Sequence, residues 1–386
     1  MTGTSNIRDD NRLIPEAIAR GEPVLRWLCS AGVPPVLVGI AYTVLFNLLR
    51  GFSAWSAGYL STSGTVIGFV NDPSVYTNFV IGLVMFTYYA WIPRGIVAVF
   101  EGLGESGVIG DAVSSKGDRA GYASYSALVD DMVSQLGKWW WPAIALAVST
   151  TVTLTLLLPQ YLALGKSAWW TAATFPLIVC LGWFLIGFYG LLVVLFYSVL
   201  SVVWLRKLFT GFAVRVRPLY PDGAGGLASL GNFTLKLSYM IAFVGMILVV
   251  TPITRNYVAV GTLQFRWTPE LLTGLGVYVV SAPIVFFAPL SVAHQAMKDA
   301  KHQLLLNIAR RFDAEYGDVH GVLDGDLQDL GDRSQVLGEL QDLHKMTSAF
   351  PVWPFNVDNV TRFGTAYVSP FIIPLLMELF SLLMGP

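Results

Sequence analysis

The chain has 386 residues, of which 54% are hydrophobic and 13% charged, and its mean hydropathy is +0.60. A soluble domain carries about 25% charged residues, so an ordinary cytosolic domain is excluded, and so is a mainly disordered chain. The near-balance of 24 basic and 25 acidic residues, with no long block of one sign, gives no footing for nucleic acid.

Residues 1–32 are polar and mixed in charge, and read as a cytoplasmic N-terminal segment without a secretory leader. Seven apolar runs follow: 33–49, 78–100, 139–159, 172–205, 236–256, 271–293 and 363–384. Trp139, Trp140 and Trp141 open the third run, Trp169 and Trp170 the fourth, and Trp267 and Trp353 precede the sixth and seventh. Tryptophan favours the headgroup level, where the ring is buried and the N–H stays wet. Cys29 precedes the first run and Cys180 lies inside the fourth, which disfavours a disulfide.

The connecting segments carry their own signals. Residues 51–77 are apolar and rich in small residues, and are expected to fold over the outer mouth or re-enter. Residues 101–138 contain one amphipathic helix marked by Val129, Met132, Val133 and Leu136. The segment from Pro218 to Gly231 reads as a tight hairpin, with a Pro-Asp-Gly turn and further glycines. The sixth run continues at helical spacing through Met297, Ala300, Leu304, Ile308 and Phe312, so 271–312 forms one helix of about 63 Å. That is twice the hydrocarbon thickness, and the helix must project. A second amphipathic piece, 335–347, spaces Val336, Leu340, Leu343 and Met346 on one face.

Orientation follows from Lys and Arg alone. With the N-terminus inside, nineteen of the 24 fall on the inner side, four (Arg50, Lys166, Arg255 and Arg266) on the outer side, and Arg94 within a span. The reading is therefore an all-α polytopic membrane protein with seven transmembrane helices, N-terminus inside, C-terminus outside, and projecting cytoplasmic helices. Its parts are an N-terminal segment (1–32), six spans with their loops (33–293), a cytoplasmic helical anchor (294–356) and a seventh, pore-lining helix (357–386). A plasma or inner membrane is the expected location.

Two charges are expected inside the hydrocarbon, Arg94 and Glu378, and an intramembrane charge is a functional candidate by default. Arg94 lies about 9 Å from the inner end of its span, within snorkelling reach of the headgroups. A carboxylate snorkels poorly, so Glu378 must face protein or water. Tyr367, Phe371, Pro374, Glu378 and Ser381 share one helical face, which is the expected pore lining, with ordinary bundle packing as the alternative. In a symmetric assembly Glu378 would form a ring that attracts cations.

No nucleophile–base pair, metal signature or nucleotide motif stands out, so no enzyme, cofactor or metal is expected. The acidic run at 324–332 departs from a calcium loop, with Asp329 where glycine is required and Gln335 where glutamate is required. All four histidines, His294, His302, His320 and His344, fall between the sixth and seventh runs without metal-ligand spacing. The seventh run also lacks the lysine that a retinal protein needs.

In topology the chain resembles the insect odorant and gustatory receptor superfamily of seven-span ion channels and its proposed prokaryotic relatives. The shared features are an inner N-terminus, long fourth and sixth spans projecting inward, and a cytoplasmic helical stretch before a final span. The family's last span often begins with Thr-Tyr; here the nearest match is Thr365-Ala366-Tyr367, with one residue inserted. The resemblance implies a tetramer, a central pore lined by the last spans, an anchor shared by the cytoplasmic helices (294–350), and a small-molecule ligand in the outer half of each bundle. By depth, Phe86, Tyr89, Trp183, Phe184 and Tyr278 are the candidates to line that pocket. The resulting expectation is an oligomeric, cation-selective, ligand-gated channel. The alternatives are a transporter of a small or apolar solute and a non-conducting sensor or scaffold.

Overall fold

The computed structural model describes residues 8–9, 12–112, 122–163, 165–214, 220, 222, 224–260, 269–322, 327–349, 353 and 357–384. Among the described residues two small antiparallel ribbons accompany the helices. β1 (Arg8–Asp9) pairs with β2 (Arg12–Leu13), and β3 (Ile109–Ala112) pairs with β4 (Phe212–Val214). The helices, in chain order, are α1 (Pro15–Ile18), α2 (Pro23–Ser30), α3 (Pro35–Ser56), α4 (Pro73–Glu105), α5 (Tyr125–Leu136) and α6 (Trp140–Val152). They continue with α7 (Leu158–Ala163), α8 (Trp169–Ala172), α9 (Thr174–Gly211), α10 (Ala228–Val260), α11 (Pro269–Val322), α12 (Leu327–Ala349) and α13 (Val357–Met384).

Local chemistry explains where these helices begin. Five start with proline: α1, α2, α3, α4 and α11. Proline there loses no needed N–H, and its φ is already helical. Side-chain caps add to this at Glu22, Asp72 and Ser124, which accept from the backbone N–H of Leu25, Ser74 and Ala127. Such caps satisfy orphan donors of the first turn.

Among the described residues, five helices are long and apolar enough to cross a membrane: α3, α4, α9, α10 up to Thr254, and α11 from Leu271 to Gly317. They coincide with the first, second, fourth, fifth and sixth apolar runs. The third run is helical but interrupted. A π turn over Thr153–Leu157 separates α6 from α7. A π turn adds a residue to the ring and opens the backbone, a feature frequent at functional sites. The seventh run is the helix α13. α11 has 54 residues and is about 81 Å long, so the helix expected over 271–312 extends further at its C-terminal end.

The main core lies at the end of the bundle that carries β3 and β4, the sheet end. Ile92, Ile96, Phe100 and Leu103 of α4 meet Leu205 and Leu208 of α9 there, with Leu128, Met132 and Leu136 of α5 and Ile18 and Leu25 from α1 and α2. Val129, Met132, Val133 and Leu136 are all buried, as their spacing predicts. The polar segment 1–32 is therefore not a free arm over its described residues.

The hairpin segment after β4 has one clear anchor. Both carboxylate oxygens of Asp222 accept from backbone N–H groups, those of Ala224, Gly226 and Ala228, at 2.9–3.1 Å. Gly226 has φ +94°, and an added Cβ there would run into the Val108 side chain. Glycine is thus required on two counts.

At the opposite, cap end, residues 57–72 fold over the helix termini. Ile67 bridges Ala168, with Ile67 N–H donating to Ser167 C=O and Trp169 N–H donating to Ile67 C=O, each at 2.9 Å. A separate apolar cluster of Ala54, Val75, Trp169, Trp170 and Cys180 fills this end. The segment 51–77 thus closes the bundle at this end.

Candidate functional site

The cap end holds the chain's most unusual electrostatics. α3 carries Arg50 deep within a candidate span, at 2% exposure. The helix persists past this charge because nothing breaks it before Ala57 and Gly58, where φ reaches +81°. Arg50, expected in the outer segment after the first run, lies on a buried face of α3, a helix long and apolar enough to cross a membrane.

Asp72, 0% exposed, stands at the N-terminus of α4. Its Oδ1 accepts from Ser74 N–H at 2.8 Å, and its Oδ2 accepts from the indole N–H groups of Trp169 at 3.0 Å and Trp170 at 3.2 Å. The carboxylate is held by three donors and stitches α4 to α8. Trp169 and Trp170, expected as interface anchors, turn their N–H groups inward to this carboxylate.

Arg50 is less well provided for. One terminal nitrogen donates to Asn47 Oδ1 at 3.3 Å, and the guanidinium carbon lies 5.4 Å from the Trp169 ring and 5.6 Å from the Trp183 ring. Its Nε has no hydrogen-bond partner, and among the described residues no carboxylate lies within ion-pair distance of it. Burying an ion costs several kcal/mol after relaxation. A desolvated cation–π contact returns about 2 kcal/mol. The Cys180 side chain also lies within hydrogen-bonding reach of the guanidinium. Two rings, one weak hydrogen bond and a neutral thiol still leave the charge without a counter-ion.

A cavity of about 170 Å³ opens beside this arginine. α3 contributes Arg50; α4 contributes Ser74, Thr77 and Asn78; the π turn and α7 contribute Leu157 and Tyr161. Trp170 of α8, Cys180 and Phe184 of α9, and Thr251 and Thr254 of α10 complete it. Pro252 lies between those two threonines inside α10 and donates no backbone hydrogen bond there, and the π turn borders the cavity on another side. The lining has an aromatic side, a hydroxyl and amide side, and one cation. In chemistry such a lining suits a polar or anionic group attached to a small apolar body.

The expected ligand residues divide among three places. Phe184 lines the cavity, and Trp183 stacks beside Arg50 without lining it. Phe86 packs on Tyr42 at a ring distance of 3.5 Å, and Tyr89 lies beside Glu22 at the sheet-end side of the core. Tyr278 belongs to an aromatic zipper between α11 and α13: its hydroxyl donates to Tyr367 C=O at 3.0 Å, and Phe286 stacks on Phe363 at 4.1 Å. The expected pore residues Tyr367 and Phe371 also join this zipper, and Tyr367 donates to Val279 C=O at 3.2 Å. The side chains of Pro374, Glu378 and Ser381 lie outside the described residues. Arg94 donates to Leu28 C=O at 3.3 Å, so it caps the last turn of α2. A cation there also complements the helix dipole.

A second buried carboxylate, Glu22, sits at the sheet end with 2% exposure. It caps α2 through Leu25 N–H and accepts from Tyr189 O–H at 2.9 Å, while Tyr197 O–H donates to Ile18 C=O at 3.3 Å. These contacts lock α1 and α2 against α9. Nearby, burial pushes the Cys29 thiol up to about 11; Arg94 pulls it down by less, and Glu16 and Glu22 add to the rise. A thiol with that pKa is mostly protonated at neutral pH. Iodoacetamide should therefore label Cys29 about a hundredfold more slowly at neutral pH than a free thiol. The rate should keep climbing with pH until about pH 11. Mass spectrometry of labelling against pH checks this, and a plateau at the ordinary thiol range would contradict it.

These features define an all-α integral membrane protein with a partly open cavity near one end of its bundle. No family model, curated protein or solved structure matches the chain.

Proposed function

We propose that the chain is a subunit of an oligomeric, ligand-gated membrane ion channel with seven crossings, the N-terminus and sheet end in the cytoplasm, and the cap-end cavity as ligand site. The observation that carries this reading is the cavity itself, built around a buried and under-compensated arginine in one leaflet. Arg50 lies six residues from the end of α3, so the site is about 9 Å from that end. That depth fits a receptor pocket better than the midplane site typical of transporters. The Lys and Arg distribution supports the orientation.

Assembly is supported by unpartnered apolar surface on the projecting helices. Leu304 of α11 and Val336, Leu343 and Met346 of α12 are 37–44% exposed. Amphipathic helices that project into water bury such faces against a partner. In this reading four copies meet through α11, α12 and α13, and the pore follows α13 with Glu378 and Ser381 facing the axis. Cation selectivity then comes from the Glu378 ring.

Particle symmetry in detergent and current across a planar bilayer test the reading. A four-fold particle with cation current, reduced in conductance or selectivity by Glu378→Gln, is the expected result. A monomer that passes no current would overturn it. One observation favours a second reading, a solute transporter: a single chain completes the cavity. That reading predicts counterflow of solute in liposomes by the monomer.

A further inference from the structure

Resting on the reading of the cap-end cavity as a ligand site, we infer that its ligand is a small free carboxylate about the size of one aromatic ring, bound through Arg50. Arg50 stays charged at every physiological pH. It is 2% exposed, its Nε is unpartnered, and it lines the cavity. The nearby buried carboxylate, Asp72, already holds three N–H donors and is not within ion-pair distance of it. The missing partner is therefore an anion supplied from outside the chain.

The form of that anion follows from the walls. Among the described residues Arg50 is the one basic residue of the lining, and a single cation matches a single negative charge. A guanidinium edge presents parallel N–H donors that fit a carboxylate in a bidentate pair. Thr77, Asn78 and Thr254 add neutral hydrogen-bonding groups around the same space, while Tyr161, Trp170 and Phe184 offer an aromatic wall. The volume, about 170 Å³, is close to the roughly 150 Å³ cavity that accommodates benzene in an engineered core. Benzoate has the required charge, shape and size. The space holds no more than the head of a long acyl chain, so benzoate is the expected ligand and oleate the contrasting case.

Trp169, Trp170 and Trp183 surround the site, so intrinsic fluorescence reports on it. Wild-type protein in nanodiscs should show a saturable change on titration with benzoate and little change with the neutral isosteres benzamide and benzyl alcohol. Arg50→Gln should weaken benzoate binding at least about tenfold, the loss expected for one charge-assisted pair. If that variant fails to fold, Thr77→Glu supplies an internal carboxylate in the same cavity; it should abolish the benzoate response and raise the melting temperature. Equal responses to benzoate and benzamide, an unchanged benzoate affinity in Arg50→Gln, or binding of oleate with benzoate silent would overturn the inference. Bilayer currents with no benzoate response sink this ligand class and leave the channel reading standing. Benzoate binding without current does the reverse.

Discussion

Replacing Asp72 with alanine should destabilise the protein by about 4 kcal/mol, more than any other single polar substitution at the cap end. Asp72 is fully buried and serves three donors: the Ser74 N–H of the first α4 turn and the indole N–H groups of Trp169 and Trp170. Removing a helix cap costs about 1 kcal/mol. Each buried donor left without a partner costs about 1–3 kcal/mol. Contacts that share one carboxylate are not additive, so the figure lies below the sum of the extremes. Asparagine should cost less, about 2 kcal/mol, because its one carbonyl oxygen can serve either the cap or the indoles but not both. Trp169→Phe removes one donor and weakens, without abolishing, the cation–π contact to Arg50, and should fall near the asparagine variant. Thermal unfolding in detergent, followed by circular dichroism, checks the order. Equal stability of the aspartate, asparagine and alanine forms would show that this carboxylate does not hold α4 to α8.

Much of the helical architecture is legible in the residues themselves. The spacing of Val129, Met132, Val133 and Leu136 marks the buried face of α5, and the unbroken run after Pro289 marks the length of α11. Asp72-Pro73 is a cap followed by an N1 proline, a plain helix start, yet within an apolar stretch it reads as part of a loop. The burial of Arg50 is hidden in the sequence for a related reason. A hydropathy window ends a span at a charge, whereas a helix ends only where the backbone is broken, here at Gly58. The partner relations were not legible at all. Trp169 and Trp170 meet a carboxylate about a hundred residues earlier in the chain, and nothing local distinguishes an indole turned to headgroups from one turned to Asp72. Depth along a span likewise places Tyr278 level with other aromatics without saying which helix stands beside it. Only packing separates the α11–α13 zipper from the cavity wall.

The position of Arg50 depends on how closely α3 approaches α4, and that closeness rests on glycine. An added Cβ on Gly39 would run into Leu83 C=O and the Thr87 hydroxyl, and one on Gly82 would lie 3.0 Å from Thr43 Oγ1. Small residues of this kind let membrane helices pack backbone to backbone. The far side of α3 offers no alternative anchor, since Leu45 and Leu48 are 67% and 66% exposed. Gly39→Ala should therefore cost about 1–3 kcal/mol as an overpacking change against a backbone carbonyl that cannot yield, and Gly39→Leu should cost more. Gly187 in α9 supplies the opposite expectation. A Cβ there meets nothing within 4 Å, so Gly187→Ala should be neutral or stabilise by about 0.5–1 kcal/mol through helix propensity. Opposite signs for the same chemical change separate packing from propensity, and equal effects at the two sites would contradict the close α3–α4 contact. Because Arg50 lies three turns along α3 from Gly39, an α3 pushed away from α4 also withdraws the guanidinium from the cavity. Gly39→Ala should then weaken benzoate binding even in protein that remains folded, whereas Gly187→Ala should leave it unchanged.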